Sequence, residues 1–159
     1  MKVRDIATNE VKSCTPSTSI ASAGWMMWEA DCGILPVVRG DGKAVGVLTD
    51  RDVCMAASTK YRPAGEISVG EVCTGRVYSC GPNDDVTDAL ECMRENNVRR
   101  LLVLDTEGKP VGLLSLSDIA LAARPAKGAR ANDISFDAFM RTYQSVCRRK
   151  EMEPALAAP

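Results

Sequence analysis

Shifted by 66 positions, the sequence lies over itself without a gap: residues 4–57 align with residues 70–123, and 18 of the 54 pairs are identical. The identities include Ser13-Cys14 with Ser79-Cys80, Pro16 with Pro82, Met27 with Met93, Leu35 with Leu101, Gly42-Lys43 with Gly108-Lys109, Val45-Gly46 with Val111-Gly112, and Asp52 with Asp118. A unit of about 55 residues buries too little apolar surface to stand alone. The two copies are therefore expected to pack sheet against sheet around a pseudo-two-fold axis. Such packing leaves two equivalent clefts at the seam, and clefts of this kind are where small ligands bind.

Both copies carry the same pattern. A short strand is expected at Val11 to Cys14 and at Val77 to Cys80, then a turn at Pro16 or Pro82, then an amphipathic helix. The apolar positions of the first helix are Ile20, Ala23, Gly24 and Met27; those of the second are Val86, Ala89, Leu90 and Met93. Asn83 reads as the N-cap of the second helix, with Asp84 and Asp85 where its dipole favours negative charge. Two apolar runs follow in each copy, joined by Gly40-Asp41-Gly42-Lys43 and Thr106-Glu107-Gly108-Lys109, which read as hairpin turns. A short helix closes each unit. The expected fold class is α/β (α+β), β-α-β-β-α twice, with a first motif over 1–66, a second over 67–124, and a linker with an amphipathic helix over 125–159.

Composition narrows the functions. The chain has 159 residues and a formal charge of −1, which gives no overall attraction to nucleic acid or anionic lipid. It contains no histidine, so Ser-His-Asp and Cys-His catalysis are excluded and the commonest zinc ligand is missing. Its seven cysteines are scattered, with no C-x-x-C pair, and read mostly as small core residues in a reducing compartment. No metal site is expected. Met1-Lys2-Val3-Arg4 leads into mixed-charge sequence with no apolar leader, so a cytoplasmic protein away from membranes is expected.

Chemistry concentrates in Gly46-Val47-Leu48-Thr49-Asp50-Arg51-Asp52 and Gly112-Leu113-Leu114-Ser115-Leu116-Ser117-Asp118, where a buried strand runs into a helix. Each segment places a hydroxyl and a carboxylate three residues apart on a first helical turn. The arrangement suits a capping box. It equally suits ligand binding, because helix N–H groups and a hydroxyl can meet phosphate while a carboxylate accepts ribose hydroxyls. The two readings are compatible.

The repeated unit resembles the CBS motif pair, or Bateman module. The resemblance rests on Arg4-Asp5-Ile6-Ala7-Thr8 and Gly70-Glu71-Val72-Cys73-Thr74, on Leu35-Pro36-Val37-Val38, and on the two Gly-x-x-Ser/Thr-x-x-Asp segments, and it covers residues 3–123. It implies that each cleft joins the pre-strand loop of one copy to the Ser/Thr-x-x-Asp of the other. One site would then use Thr8, Asn9, Val11, Gly33, Ile34 and Pro36 with Ser115 and Asp118. The other would use Thr74, Val77, Arg99, Arg100 and Leu102 with Thr49, Arg51 and Asp52. The implied ligand is an adenine nucleotide (AMP, ADP or ATP, with S-adenosylmethionine or NAD as alternatives), its phosphate meeting hydroxyls and arginines. Three arginines in the second set favour that cleft for phosphate. Leu102 and Gly81 depart from the first copy, which has Pro36 and Thr15 there.

The expected role is a regulatory module whose nucleotide occupancy is read by an effector protein of unknown identity. The alternatives are a structural adaptor with empty clefts and a small enzyme using a cysteine or carboxylate. A homodimer is expected, with Trp25 and Trp28 as anchors unless they complete the intramolecular core. In the tail, Phe136, Phe139, Met140, Tyr143 and Cys147 share one helical face ahead of Arg148-Arg149-Lys150. That face is read as packing on its own module or a dimer mate, with an effector or a membrane surface as alternatives.

Overall fold

Why the two units cannot be separated is visible in the first hydrogen bonds of the chain. In the computed structural model, which describes residues 1–124 and 134–148, the backbone N–H groups of Val3 and Arg4 donate to the carbonyls of Asp84 and Pro82, both at 3.0 Å. Val3 is fully buried among Val86, Leu101 and Leu114 of the second repeat. The segment leading into the second repeat does the converse: Ile67 and Val69 are fully buried with Ile20, Leu35 and Leu48 of the first. Burying each such side chain stabilises the fold by about 1.5–3 kcal/mol. The repeats therefore exchange their leading segments.

Helix α1 (Ile20–Glu29) starts at Ser19, whose side chain accepts from the Ser22 N–H, and buries Ile20, Ala23 and Met27. It ends before Asp31, a left-handed residue at φ 46°. Strand β1 (Ile34–Val38) pairs antiparallel with β2 (Ala44–Thr49), and α2 (Asp50–Thr59) follows directly. The second repeat repeats this order as β3 (Ser79–Cys80), α3 (Val86–Asn96), β4 (Arg100–Leu104), β5 (Pro110–Ser115) and α4 (Leu116–Ala122). All four apolar positions expected on α3 are buried. Both hairpins turn through a glycine at φ 82°, Gly42 and Gly108, a conformation that side chains rarely adopt. The hairpins meet, with the Ala44 N–H donating to the Gly108 carbonyl at 3.0 Å.

Each sheet is edged by the other repeat. Thr8 and Leu113 exchange backbone hydrogen bonds of 2.9 Å on the outer side of β5, and Thr74 and Val47 exchange bonds of 3.1 and 3.2 Å on β2. At these crossings the incoming backbone lies where a side chain would stand. A Cβ on Gly112 would be 2.8 Å from the Thr8 carbonyl oxygen, and one on Gly46 would be 2.5 Å from that of Thr74.

Several local expectations are corrected. The strand expected over Val11 to Cys14 is a single parallel bridge from Cys14 to Val37, because residues 9–12 are crossing between repeats and have no neighbouring strand. Its counterpart is shortened to Ser79–Cys80. Asn83 does not cap α3: its Oδ1 accepts from Arg4 Nη1 at 2.7 Å, and Asp85 holds the N-cap position. Trp25 and Trp28 are 62% and 79% exposed, so neither belongs to the core. Five cysteines pack in or against the two cores, whereas Cys54 and Cys147 are exposed.

The tail helix α5 (Phe136–Cys147) is capped by Ser135 and packs on α3 and α4 of its own chain. The face it docks is Phe139, Thr142 and Val146. Phe136, Met140, Tyr143 and Cys147, expected to share the docked face, form an adjacent exposed stripe. The linker at 125–133 and the basic residues Arg149 and Lys150 lie outside the described residues.

Candidate functional site

Thr49 and Ser115 sit at equivalent strand-to-helix junctions and build identical capping boxes. In the second repeat the Ser115 N–H and Oγ donate to Asp118 Oδ2 at 2.8 and 2.7 Å, while the Asp118 N–H donates to Ser115 Oγ at 3.3 Å. In the first, Thr49 and Asp52 make the same three bonds at 2.9, 2.7 and 3.2 Å. One carboxylate oxygen of each aspartate is thus committed to the helix. Among the described residues the other oxygen, Asp118 Oδ1, accepts no hydrogen bond, and it is available to a ligand's hydroxyls.

Asp118 opens into a cleft of about 670 Å³ between the repeats. The size is that of a small-molecule site. Of the set expected here, Thr8, Val11, Gly33, Ile34, Ser115 and Asp118 line it. Pro36 does not: it is buried in β1, its carbonyl accepting from the Cys14 N–H at 2.9 Å. Asn9 is exposed beside the segment without lining the cleft. The exchange of leading segments makes this site, because Thr8 is held against Leu113 in the sheet that ends at Ser115.

Arg100 is placed differently from its expectation. The family resemblance groups it with Thr49 and Asp52, yet it lines the cleft of Ser115 and Asp118. The cause is register: β4 begins at Arg100, directly across from Ser115 in β5. The argument for three arginines around Thr49 loses one of them. Of the rest of that set, Arg51 and Arg99 are exposed, Thr49 and Asp52 are half-buried, Thr74 edges β2, Val77 is half-buried, and Leu102 is buried within its sheet.

Sequence reasoning missed Glu10, Lys12, Leu113 and the loop Ala30-Asp31-Cys32, all of which line the cleft. Glu10 and Lys12 flank the expected Val11 in the crossing segment, and their nearness in sequence to Thr8 and Val11 was the available signal. Lys12 is drawn toward Glu29 at 3.6 Å, which leaves Arg100 as the cation placed beside Ser115. The lining also holds the carboxylates of Glu10 and Asp31. These disfavour a ligand that is anionic along its whole length.

Two of the core cysteines are held in the thiol form by their surroundings. Burial pushes the Cys14 thiol up to about 11 and the Cys80 thiol to about 12. Both stay protonated at neutral pH. Among the described residues no group of three or more Cys, Asp or Glu could hold a metal ion, and no helix is long and apolar enough to cross a membrane.

Comparison with known proteins agrees with this geometry. The CBS-domain protein YhcV of Bacillus subtilis is 33% identical over 119 residues, 75% of this chain and 83% of the relative. Hypoxic response protein 1 of Mycobacterium tuberculosis is 30% identical over 117 residues, covering 74% of this chain and 81% of its own. Among solved structures, CBSX2 in complex with AMP superposes with a TM-score of 0.64 at 27% identity, covering 76% of this chain and 94% of that one. The CBS domain family model matches twice, at residues 3–59 and 69–124, and α5 lies beyond both matches. Inosine-5'-monophosphate dehydrogenase of Thermoplasma acidophilum is also similar, 32% identical over 114 residues that cover 72% of this chain and 22% of that enzyme. Two repeats with exchanged leading segments, a shared cleft and these relatives lead to one conclusion: the chain belongs to the CBS domain family and carries the domain as a tandem pair.

Proposed function

We propose that this chain is a regulatory sensor that binds an adenine nucleotide between its two CBS motifs, assembles as a homodimer, and passes cleft occupancy to a partner protein. The observation that carries the reading is the 670 Å³ cleft in which Thr8 and Val11 of one repeat face Ser115 and Asp118 of the other. Adenine rests against the apolar Val11, Ile34 and Leu113, the ribose hydroxyls donate to Asp118 Oδ1, and Arg100 meets phosphate. The relative solved with AMP supports the ligand class. AMP, ADP and ATP are the first ligands to test. The exposed tryptophans of α1 support self-association. The relevant state change is a shift between conformations that bind the ligand with different affinity.

A thermal-shift panel of AMP, ADP, ATP, S-adenosylmethionine and NAD tests the reading. A ligand at about 100 times its Kd stabilises the folded state by about 2.7 kcal/mol, which raises Tm by roughly 5–10 °C for a chain of this size. Asp118→Ala is expected to abolish that shift while the unliganded protein still melts cooperatively. If no adenine compound moves Tm, or if Asp118→Ala keeps the full shift, the cleft is not the binding site.

A further inference from the structure

Each repeat has a groove between its two helices, and among the described residues only one of the two grooves is filled. In the second repeat α5 lies over α3 and α4. In the 66-residue register, Leu90 under α5 corresponds to Gly24, and Ile119 corresponds to Val53. Gly24 and Val53, with Met27, Trp28 and Cys54, line an open groove of about 460 Å³ between α1 and α2. A Cβ on Gly24 would sit 3.6 Å from Val53 Cγ1, so the floor is close-packed and the groove is shallow. The flanks differ in a telling way. Beside α5 the second repeat has the exposed ion pair Glu91–Arg94, whereas the first repeat has Trp25 and Trp28 at the same two positions. The flank of the open groove is therefore more apolar than the flank of the one that already holds a helix.

Among the described residues α5 also leaves an exposed apolar face, with the Tyr143 ring stacked on Phe139 at its edge. With Phe139, Thr142 and Val146 docked, α5 leaves Phe136, Met140 and Tyr143 exposed at 49%, 47% and 45%. The described charges are also complementary: Asp31 and Asp50 line the groove with no described cation among its lining residues, and α5 ends at the C-cap Arg148.

We propose that the exposed Phe136–Met140–Tyr143 face of α5 fills the α1/α2 groove of a second copy of this chain. By two-fold symmetry each copy gives one helix and receives one, so α5 lies between the second repeat of its own chain and the first repeat of its partner. The inference rests on the homodimer reading above and says what forms that dimer. Trp25, Trp28, Phe136, Met140 and Tyr143 together expose roughly 600 Å² per chain. Two copies then cover roughly 1,200 Å², the area at which specific protein interfaces begin.

The test is the mass of the full-length protein by light scattering at micromolar concentration. The wild type is expected to be a dimer, Trp28→Glu and Met140→Lys are each expected to be monomers with an unchanged circular dichroism spectrum, and the double variant is expected to recover the dimer. A second measurement needs no substitution. The exposed thiols of Cys54, in the groove, and Cys147, at the end of the α5 stripe, are expected to be joined between chains by a short bismaleimide, as read by peptide mapping. A monomeric wild type overturns both the homodimer reading and this inference. A dimer that survives Met140→Lys but not Trp28→Glu, with Cys54 joined to Cys54, leaves the homodimer standing and overturns the role of α5, because the tryptophan faces then pair with each other.

Discussion

Replacing Gly112 with alanine probes the exchange of segments that creates the site. The new Cβ would lie 2.8 Å from the Thr8 carbonyl oxygen and 3.3 Å from Val103 Cβ, and both neighbours are held by the sheet. Thr8 must move outward. That strains or breaks its two 2.9 Å hydrogen bonds with Leu113. Each bond contributes about 0.5–1.5 kcal/mol, and overpacking costs about 1–3 kcal/mol, so the whole effect is about 2–4 kcal/mol because the terms overlap. Urea unfolding should show it as a midpoint lower by about 1–2 M at unchanged slope. Because Thr8 lines the cleft, Gly112→Ala should also weaken nucleotide binding. Gly40→Ala is the control: a Cβ there meets nothing within 4 Å, and its stability should stay within about 0.5 kcal/mol of wild type. If Gly112→Ala unfolds as late as Gly40→Ala, the close approach of Thr8 does not constrain this position and the reasoning fails.

Three further outcomes follow from side chains. Arg100→Gln should weaken AMP binding in calorimetry at least tenfold while leaving adenosine nearly unchanged, since the guanidinium can supply a charge-assisted contact of about 1.5–3 kcal/mol to phosphate; equal losses for both ligands would remove Arg100 from the phosphate site. The Glu71 carboxylate, held by the Ser68 N–H and by Arg62, is lowered from its ordinary 4.5 to about 2. Its folded-state pKa is depressed, so its contribution to stability is complete above pH 4.5 and fades as pH falls toward 2. The stability gap between wild type and Glu71→Gln in urea should close over that interval, and a gap of constant size down to acid pH would contradict the assignment. With iodoacetamide near pH 8, mass spectrometry should find Cys54 and Cys147 modified first, and Cys14 and Cys80 protected until the chain unfolds. Rapid modification of Cys14 in the folded protein would be the contrary result.

The architecture was legible because the duplication doubles every local signal. A helix pattern at Ile20, Ala23 and Met27 gains weight when Val86, Ala89 and Met93 repeat it 66 residues later, and both sets are buried. The capping boxes could be read for the same reason. What periodicity cannot carry is the address of an isolated apolar residue. Val3 and Ile67 each stand in short, mostly polar stretches, and nothing in the spacing tells which repeat they enter. Only closure of the two sheets does, with Thr8 on β5 and Thr74 on β2. Gly46 and Gly112 were visible as an identical pair, but the reason for them is a backbone arriving from the other repeat.

Pseudo-symmetry also has a physical limit as a guide to the site. Transferring positions from one repeat to the other assigns every residue to one cleft. Residues that begin β1 and β4 stand, however, directly across from the strand-to-helix junction of their own repeat, Ile34 from Thr49 and Arg100 from Ser115. Ile34 is short and keeps its assignment; Arg100 is long, stands across from Ser115, and lines the cleft opposite to the one expected. The tail shows a related effect. The most apolar stripe of α5 is Phe136, Met140 and Tyr143, but the face docked on α3 and α4 includes the smaller Thr142 and Val146, which allow the helix to approach closely. The more apolar stripe is thus the one left exposed. That is why an amphipathic reading of this helix, as packing on its own module or on a dimer mate, located the apolar surface but did not separate the docked Phe139 from the exposed stripe beside it.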